Sequence, residues 1–299
     1  MLTGCHIAFI GGDARQIEVI KKCHELDATI TLIGYNNWQS QFPGIKKVDP
    51  DIEFFKRVDA LVLPIVGAQD DGRVDSIFSD QPIILRKEWL DALPDHAVIY
   101  TGMATPFLRE ILDENRLKLV QLLERDDVAI YNSIPTVEGA LMMAIQNTDF
   151  TLHGSRCIVL GLGRVGMTLA RVLHQIGAKV AVGSRQGREL ARAYEMGLAT
   201  FQLEKLKDYA EQCDILFNTI PDKVVTADVI ARFPAHTLII DLASQPGGVD
   251  FRFAEKRGIK ALLAPSLPGL VAPKTAGQIL ANVITQLLQQ DWPPRGDRE

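Results

Sequence analysis

Short apolar runs alternate along this chain with longer stretches in which apolar residues recur every three or four positions. "HIAFI" (His6 to Ile10) is followed by the turn Gly11-Gly12-Asp13, by "RQIEVIKKCHEL" with helical spacing, and by "TITLIG". Together they predict a strand, a helix and a second strand. "ALVLPI" (Ala60 to Ile65), "QPIIL" and "HAVIYTG" (His96 to Gly102) read as further strands, and "PFLREILDEN" as a helix. Strands alternating with helices argue for a parallel, doubly wound sheet. The polar, glycine-containing segment Gly67 to Asp80 is expected to be a mobile loop.

The pattern then repeats. "PTVEGALMMAIQNT" predicts a helix over 135–147 that connects two domains. Beyond it, "RCIVLG", "KVAVGS", a short run near "LATFQ", "DILFNTI", "TLIIDLA" and "IKALLA" read as six strands with helices between them, which matches a full dinucleotide-binding sheet. A last helix carries Ile279, Leu280, Val283, Ile284, Leu287 and Leu288 on one face, and such a stripe needs a partner. The expected architecture is α/β: two Rossmann-like doubly wound parallel-sheet domains with a cleft between them. Residues 1–134 form a substrate and partner domain, completed by the 135–147 helix and by a returning helix over 274–290. Residues 151–272 form the cofactor domain, and 291–299 a frayed tail whose RGD triplet is chance.

Composition narrows the class. The chain has 299 residues, 47% of them hydrophobic and 23% charged, with a net charge of −5. That is ordinary for a globular protein, and its scattered basic residues argue against a nucleic-acid surface. Cys5, Cys23, Cys157 and Cys213 lack C-x-x-C spacing, and no two histidines stand three to five residues apart, so no metal site is expected. The chain starts directly on a strand, without a leader pattern, and no apolar run is read as a membrane span. A cytoplasmic protein is expected.

The chemistry begins at Gly161-Leu162-Gly163-Arg164-Val165-Gly166. This G-x-G-x-x-G closes a predicted strand and opens a predicted helix. Gly161 permits the tight turn, Gly163 lets backbone approach a pyrophosphate, and Gly166 lets the helix pack on the strand. Dinucleotide-binding strands that follow such a turn usually end in Asp or Glu, which accepts from the ribose 2′-hydroxyl. Here the strand ends in Ser184 and Arg185, nineteen residues after Gly166, with Arg188 close by. A hydroxyl and guanidiniums suit a 2′-phosphate, so NADP is expected over NAD, although Arg185 is open to the reading of a solvated charge. At the ends of later strands Thr219-Ile220-Pro221 and Leu242-Ala243-Ser244 are expected to face the cofactor. Asp241 either joins them or caps its own strand.

Two further segments carry candidates. In "NSIPTVEGAL" the helix is expected to start at Pro135, with Glu138 in its first turn as an acid or base, or as a complement to the helix dipole. Gly139 inside the helix implies a close approach by backbone or ligand. Lys274 opens the last helix, where a cation is misplaced unless an anion binds there.

The segments "NSIPTVEGAL", "LGLGRVGMTLARVL", "FNTIPDKVV", "IIDLASQPGGVDF" and "AEKRGIKALLAPSLPGLVAPKTAGQIL" together resemble the A subunits of dipicolinate synthase from endospore-forming bacteria, over essentially the whole chain. The resemblance implies an NADP-linked dehydrogenase that acts with a smaller, flavoprotein-like B subunit in the mother cell during sporulation. The pair makes dipicolinate from dihydrodipicolinate or its hydroxy-tetrahydro precursor, on a branch from lysine biosynthesis. A homo-oligomer is expected as well. For such a substrate the candidate partners are Arg15, Thr101, Gly102, Asn132, Thr136, Lys274 and Thr275, with Glu138 and Lys274 as proton acceptors. Two alternatives remain: another two-domain dehydrogenase of hydroxy or amino acids, or a non-catalytic nucleotide-binding regulatory subunit.

Overall fold

A computed structural model describes residues 1–39, 42–49, 51–112 and 116–292. It divides into two compact units, Met1–Val128 with Pro273–Glu299, and Ala129–Ala272. In the first unit, strands β1 (His6–Ile10), β2 (Thr29–Ile33), β3 (Lys46–Lys47), β4 (Ala60–Val62), β7 (Val98–Thr101) and β8 (Lys118–Gln121) form a parallel sheet in the order β3-β2-β1-β4-β7-β8. Helices α1 (Ala14–Glu25), α2 (Ile52–Phe55), α3 (Lys87–Asp91) and α4 (Pro106–Ile111) complete it. The helix expected over "PFLREILDEN" stops at Ile111, because Leu112 turns to extended backbone; the last three residues of that stretch lie outside the described residues.

Gly67 to Asp80 is not a free loop. Arg73–Val74 forms β5, which pairs antiparallel with β6 (Ile83–Ile84). The segment also folds onto the glycine turn after β1: Gly12 N–H donates to Asp75 O at 2.8 Å, Ile77 N–H to Gly12 O at 2.9 Å, and the Ser76 hydroxyl to Gly34 O at 2.6 Å. Its side chains are polar, but its backbone groups are satisfied by tertiary pairing, which local sequence does not reveal.

The two units join at α5 (Asp126–Asn147), which begins nine residues before the expected start and contains Pro135 in its interior. Proline leaves its turn one donor short. Beside it the Ser133 hydroxyl donates to Ile130 O at 2.6 Å and the Thr136 hydroxyl to Asn132 O at 2.7 Å, so side chains occupy backbone acceptors in the disturbed turn. Asp126 and Asp127 stand in the first turn, where carboxylates complement the helix dipole. Glu138 is therefore in mid-helix and has no dipole role. Gly139 is explained by packing, since a Cβ there would lie 3.0 Å from the Leu267 Cβ. By length and composition alone α5 is apolar enough to span a bilayer, contrary to the sequence reading. It nevertheless buries Val137, Ala140 and Ala144 in the second unit's core, and Glu138 interrupts its exposed face.

The second unit repeats the sheet. Strands β9 (Arg156–Leu160), β10 (Lys179–Ser184), β11 (Ala199–Gln202), β12 (Ile215–Asn218), β13 (Leu238–Asp241) and β14 (Lys260–Leu263) are parallel in the order β11-β10-β9-β12-β13-β14. Helices α6 (Arg164–Gln175), α7 (Gly187–Glu195), α8 (Leu206–Ala210), α9 (Ala227–Ile230), α10 (Phe251–Lys256) and α11 (Leu267–Val271) connect them. The strands are apolar on both faces and feed two cores: Cys157, Val159, Val180 and Val182 on one side, Ile158, Leu160, Leu216 and Ile239 on the other. Continuous apolar runs are what a sheet covered on both faces requires.

Helix α12 (Pro273–Asp291) packs within the first unit, burying Leu280, Val283, Ile284 and Leu288 with Val19, Ile20 and Cys23. The helix runs through Asp291, where the tail was expected to start, and Trp292 N–H still donates to Leu288 O at 2.8 Å; the remainder of that tail lies outside the described residues. Contact between α1 and α12 is close because Gly277 has no side chain: a Cβ there would stand 2.5 Å from the Arg15 carbonyl oxygen. Gly277→Val is expected to cost about 1–3 kcal/mol by overpacking, read as a lower midpoint in denaturant unfolding. An unchanged midpoint would show that the two helices can part without loss.

Candidate functional site

The two units offer a direct comparison of what can bind at a strand-to-helix turn. In the first unit the turn after β1 leads to Asp13, whose carboxylate accepts from Arg15 N–H at 2.9 Å while Gln16 Oε1 accepts from Asp13 N–H at 3.0 Å. This capping box satisfies donors that an anion would otherwise take. The Arg15 guanidinium closes on the same carboxylate through Nε and Nη2, at 3.0 and 2.5 Å. Burial pushes the Asp13 carboxyl up, but the Arg15 hydrogen bonds outweigh it and hold it below its usual range.

In the second unit the corresponding helix, α6, has Gly163 at its N-cap and no side-chain cap. Gly161 has φ 83°, in the region that favours glycine. A Cβ on Gly166 would stand 2.2 Å from the Gly161 carbonyl oxygen, while one on Gly163 would meet nothing within 4 Å. Arg164 and Val165 follow as the first residues of the helix. The turn is thus fixed at Gly161 and Gly166 and open at Gly163, where the first N–H groups of a helix lack intrahelical partners and the positive end of its dipole lies.

Register brings the other loops alongside. β9 is flanked by β10 and β12, with Leu160 level with Gly183 and Asn218, and Asn218 level with Asp241. Gly161, Thr219 and Leu242 therefore leave three adjacent strands at the same carboxyl edge, where the strand order reverses. Ligands of open α/β sheets bind at that edge. The Thr219 hydroxyl donates to Leu160 O at 2.8 Å, bracing the turn from below; Ile220 is half-buried and Pro221 exposed. Asp241 is completely buried and accepts from Asn218 Nδ2 at 2.8 Å, Gly248 N–H at 2.8 Å and Ala243 N–H at 3.2 Å. Of its two readings the capping one fits, because its acceptors are occupied in shaping the loop that carries Leu242, Ala243 and Ser244.

At the end of β10 the picture differs from expectation. Ser184 is buried, and its hydroxyl donates to Glu189 Oε2 at 2.5 Å and accepts from Gln186 N–H at 3.0 Å, so it has no proton to offer a phosphate. Arg185 is exposed and pairs with Asp222 at 2.9 Å, which holds that carboxyl below its usual range. Arg188 is exposed and donates to Gln186 Oε1 at 2.9 Å. Sequence reading missed Glu189, which also accepts from Leu162 N–H at 3.2 Å. Its signal was a carboxylate in the first turn of the helix after the second strand.

The substrate candidates are divided between the units. In the first, Thr101 is fully buried and its hydroxyl donates to Pro64 O at 2.9 Å, so it is structural. Gly102 lets backbone pass Ile65, whose carbonyl oxygen would lie 2.5 Å from a Cβ there. The helix start after Thr105 is internally capped, with Ala104 N–H donating to Gln121 Oε1 at 2.8 Å and Leu108 N–H to Thr105 Oγ1 at 3.2 Å. A cavity of about 260 Å³ lies at this unit's carboxyl edge, lined by Gly12, Asp13, Arg15, Ile65, Asp75 and Ser76 among others. Lys274 and Thr275 are exposed at the start of α12, and Lys274 has no ion-pair partner among the described residues. In the second unit, Glu138 is exposed, Thr136 donates back into its helix, and Asn132 holds a buried Oδ1 without a hydrogen-bond partner. A larger cavity of about 430 Å³ opens at the opposite, amino-terminal edge of the second sheet, beside Arg156 and Lys179, away from the glycine turn. Burial raises the thiols of Cys23, Cys157 and Cys213, Cys157 to about 11, which removes them as nucleophiles.

Fold and turn, taken with the family matches that follow, define an oxidoreductase whose second unit is a nicotinamide-dinucleotide domain. Residues 137–244 match the D-isomer specific 2-hydroxyacid dehydrogenase NAD binding domain, and residues 6–123 match the N-terminal domain of the dipicolinate synthase A subunit. The chain is 51% identical over 290 residues to the A subunit of dipicolinate synthase from Bacillus subtilis (strain 168), covering 97% of this chain and 98% of the relative. Among solved structures it is similar to the dipicolinate synthase A subunit from Bacillus halodurans, with TM-score 0.93, 52% identity and coverage of 97% and 99%. The corresponding structure from Bacillus subtilis gives TM-score 0.94 at 50% identity, covering 97% and 98%. A transhydrogenase from Sinorhizobium meliloti shares the fold at TM-score 0.64 and 14% identity, over 95% of this chain and 94% of its own. The chain belongs to the family of dipicolinate synthase A subunits.

Gly163→Asp tests the open helix end. Asp exceeds Gly as an N-cap by roughly a few tenths of a kcal/mol, so the melting temperature should hold or rise. A fixed carboxylate beside the phosphates costs on the order of 1 kcal/mol or more, so dinucleotide affinity should fall about tenfold or more in a calorimetric titration. Unchanged affinity would move the pyrophosphate away from this turn.

Proposed function

We propose that this chain carries the redox site of a dipicolinate synthase. It removes a hydride and a proton from dihydrodipicolinate, or from the hydroxy-tetrahydro precursor after loss of water, and uses NADP in partnership with a B subunit. The observation that carries the reading is the uncapped α6 N-terminus at Gly163, set at the strand-order reversal in a chain half identical to the A component of a dipicolinate synthase. A cytoplasmic setting accords with four buried cysteine thiols.

The second unit's residues fit the cofactor. Gly161, Gly163 and the first N–H groups of α6 would hold the pyrophosphate, with Thr219 to Pro221 and Leu242 to Ser244 on the flank toward β12 and β13. Arg185 and Arg188, both exposed, would meet a 2′-phosphate, Arg185 leaving Asp222 to do so. When bound, the oxidised nicotinamide supplies a two-electron acceptor for the hydride. The chain's own tasks are then to orient a dicarboxylate ring and to accept one proton. Arg15 and Lys274 are the cationic candidates for the carboxylates; Asp13 holds Arg15 Nε and Nη2, and among the described residues Nη1 has no hydrogen-bond partner. Glu138, exposed and without a hydrogen-bond partner among the described residues, is the proposed proton acceptor. Aromatisation is itself downhill, so the proposed reaction asks more of orientation than of a strong base.

The test is absorbance at the nicotinamide and pyridine bands when NADP+ meets freshly generated dihydrodipicolinate, with this chain alone and with the B subunit. Reduced cofactor and dipicolinate appearing together are expected; their absence in both mixtures, with dinucleotide binding intact, would overturn the substrate. Arg185→Ala is expected to weaken NADP binding about tenfold or more and NAD binding little, as loss of a charge-assisted contact implies. Equal losses would refute the 2′-phosphate assignment.

A further inference from the structure

We infer that Glu189 supplies the ribose-side carboxylate missing from the end of β10, and so sets the balance between NAD and NADP. The inference rests on the dinucleotide reading of the glycine turn and deepens it. Glu189 lies in the first turn of α7, three residues past the N-cap Gln186. A Glu at that place ordinarily folds back onto its own N-cap N–H. Here Gln186 N–H donates to Ser184 Oγ instead, which leaves Glu189 to reach across to the glycine turn. Its Oε2 accepts from Ser184 Oγ, the last side chain of β10, at 2.5 Å, and from Leu162 N–H, between the first two glycines, at 3.2 Å.

Those two segments are the ones that frame an adenosine ribose in this fold, and a strand-end Asp or Glu normally puts its carboxylate between them. The charge has moved five residues along the chain and returned to the same place. Both bonds fall on Oε2, and among the described residues Oε1 accepts none. An acceptor on Glu189 is therefore left for a ribose hydroxyl, while Arg185 on the turn after β10 and Arg188 at the start of α7 stand exposed.

Carboxylate and guanidiniums act in opposite senses on the same carbon's substituent. A 2′-hydroxyl donates to Glu189; a 2′-phosphate is repelled by Glu189 and attracted by the arginines. The preference for NADP is accordingly smaller than two arginines alone would give, and NAD retains a specific contact.

The test is a pair of calorimetric titrations with NADP+ and NAD+ on wild type and Glu189→Gln, with thermal unfolding alongside. Gln keeps an oxygen that accepts from Ser184 and Leu162 but removes the charge. The ratio of NADP to NAD affinity is expected to rise about tenfold, through weaker NAD binding, stronger NADP binding, or both. Glu189→Asp should return the ratio toward wild type. Both cofactors are read on one preparation, so any unfolded fraction cancels from the ratio. Equal weakening of both in Glu189→Gln would reduce Glu189 to a brace for the loop and overturn the inference, as would no change in either. Wild type binding neither dinucleotide would instead overturn the cofactor reading beneath it.

Discussion

A strand in a sheet has two edges, and the whole site follows from which neighbours occupy those of β9. With β10 on one side and β12 on the other, the chain leaves β9 toward one end of the sheet and later returns to the other. Parallel register then delivers the ends of β9, β12 and β13 to a common edge, and the loops diverge above it. Glycine at 161 and 166 lets α6 sit hard against that edge, while Thr219 and the buried Asp241 fix the loops beside it from within.

The first unit has the same strand order and a helix after its first strand, yet it treats the helix end differently. Asp13 places a carboxylate on the donors that Gly163 leaves open. Two copies of one architecture are thus distinguished at a single backbone position by whether the protein provides the negative charge itself. In the first unit that charge also orients Arg15, converting an anion cradle into a held cation at the edge of a modest cavity.

Much of this was legible in the sequence. Apolar runs of strand length and helical periodicity located both sheets, because strands buried on two faces admit almost no polar residue. The glycine spacing located the turn, because each glycine answers a steric demand that no other residue meets. What failed was non-local. Pro135 reads as a helix start, yet α5 continues through it because Val137, Ala140 and Ala144 beyond it bury in the same core as strands far away in the chain. Gly67 to Asp80 reads as a free loop, since its partners Gly12 and Gly34 lie far away in sequence. Ser184 and Arg185 announce a 2′-phosphate, but their engagement with Glu189 and Asp222 depends on side-chain reach across a turn and across thirty-seven residues.

The position of α12 has a consequence for synthesis on the ribosome. It packs on α1, and the core formed by Val19, Ile20 and Cys23 lacks one wall until Leu280, Val283 and Ile284 arrive. The second unit lies wholly between these segments in the chain and has its own sheet and cores. Domains of a growing polypeptide ordinarily close in the order in which they emerge. Here the order inverts: the unit that is started first is finished last.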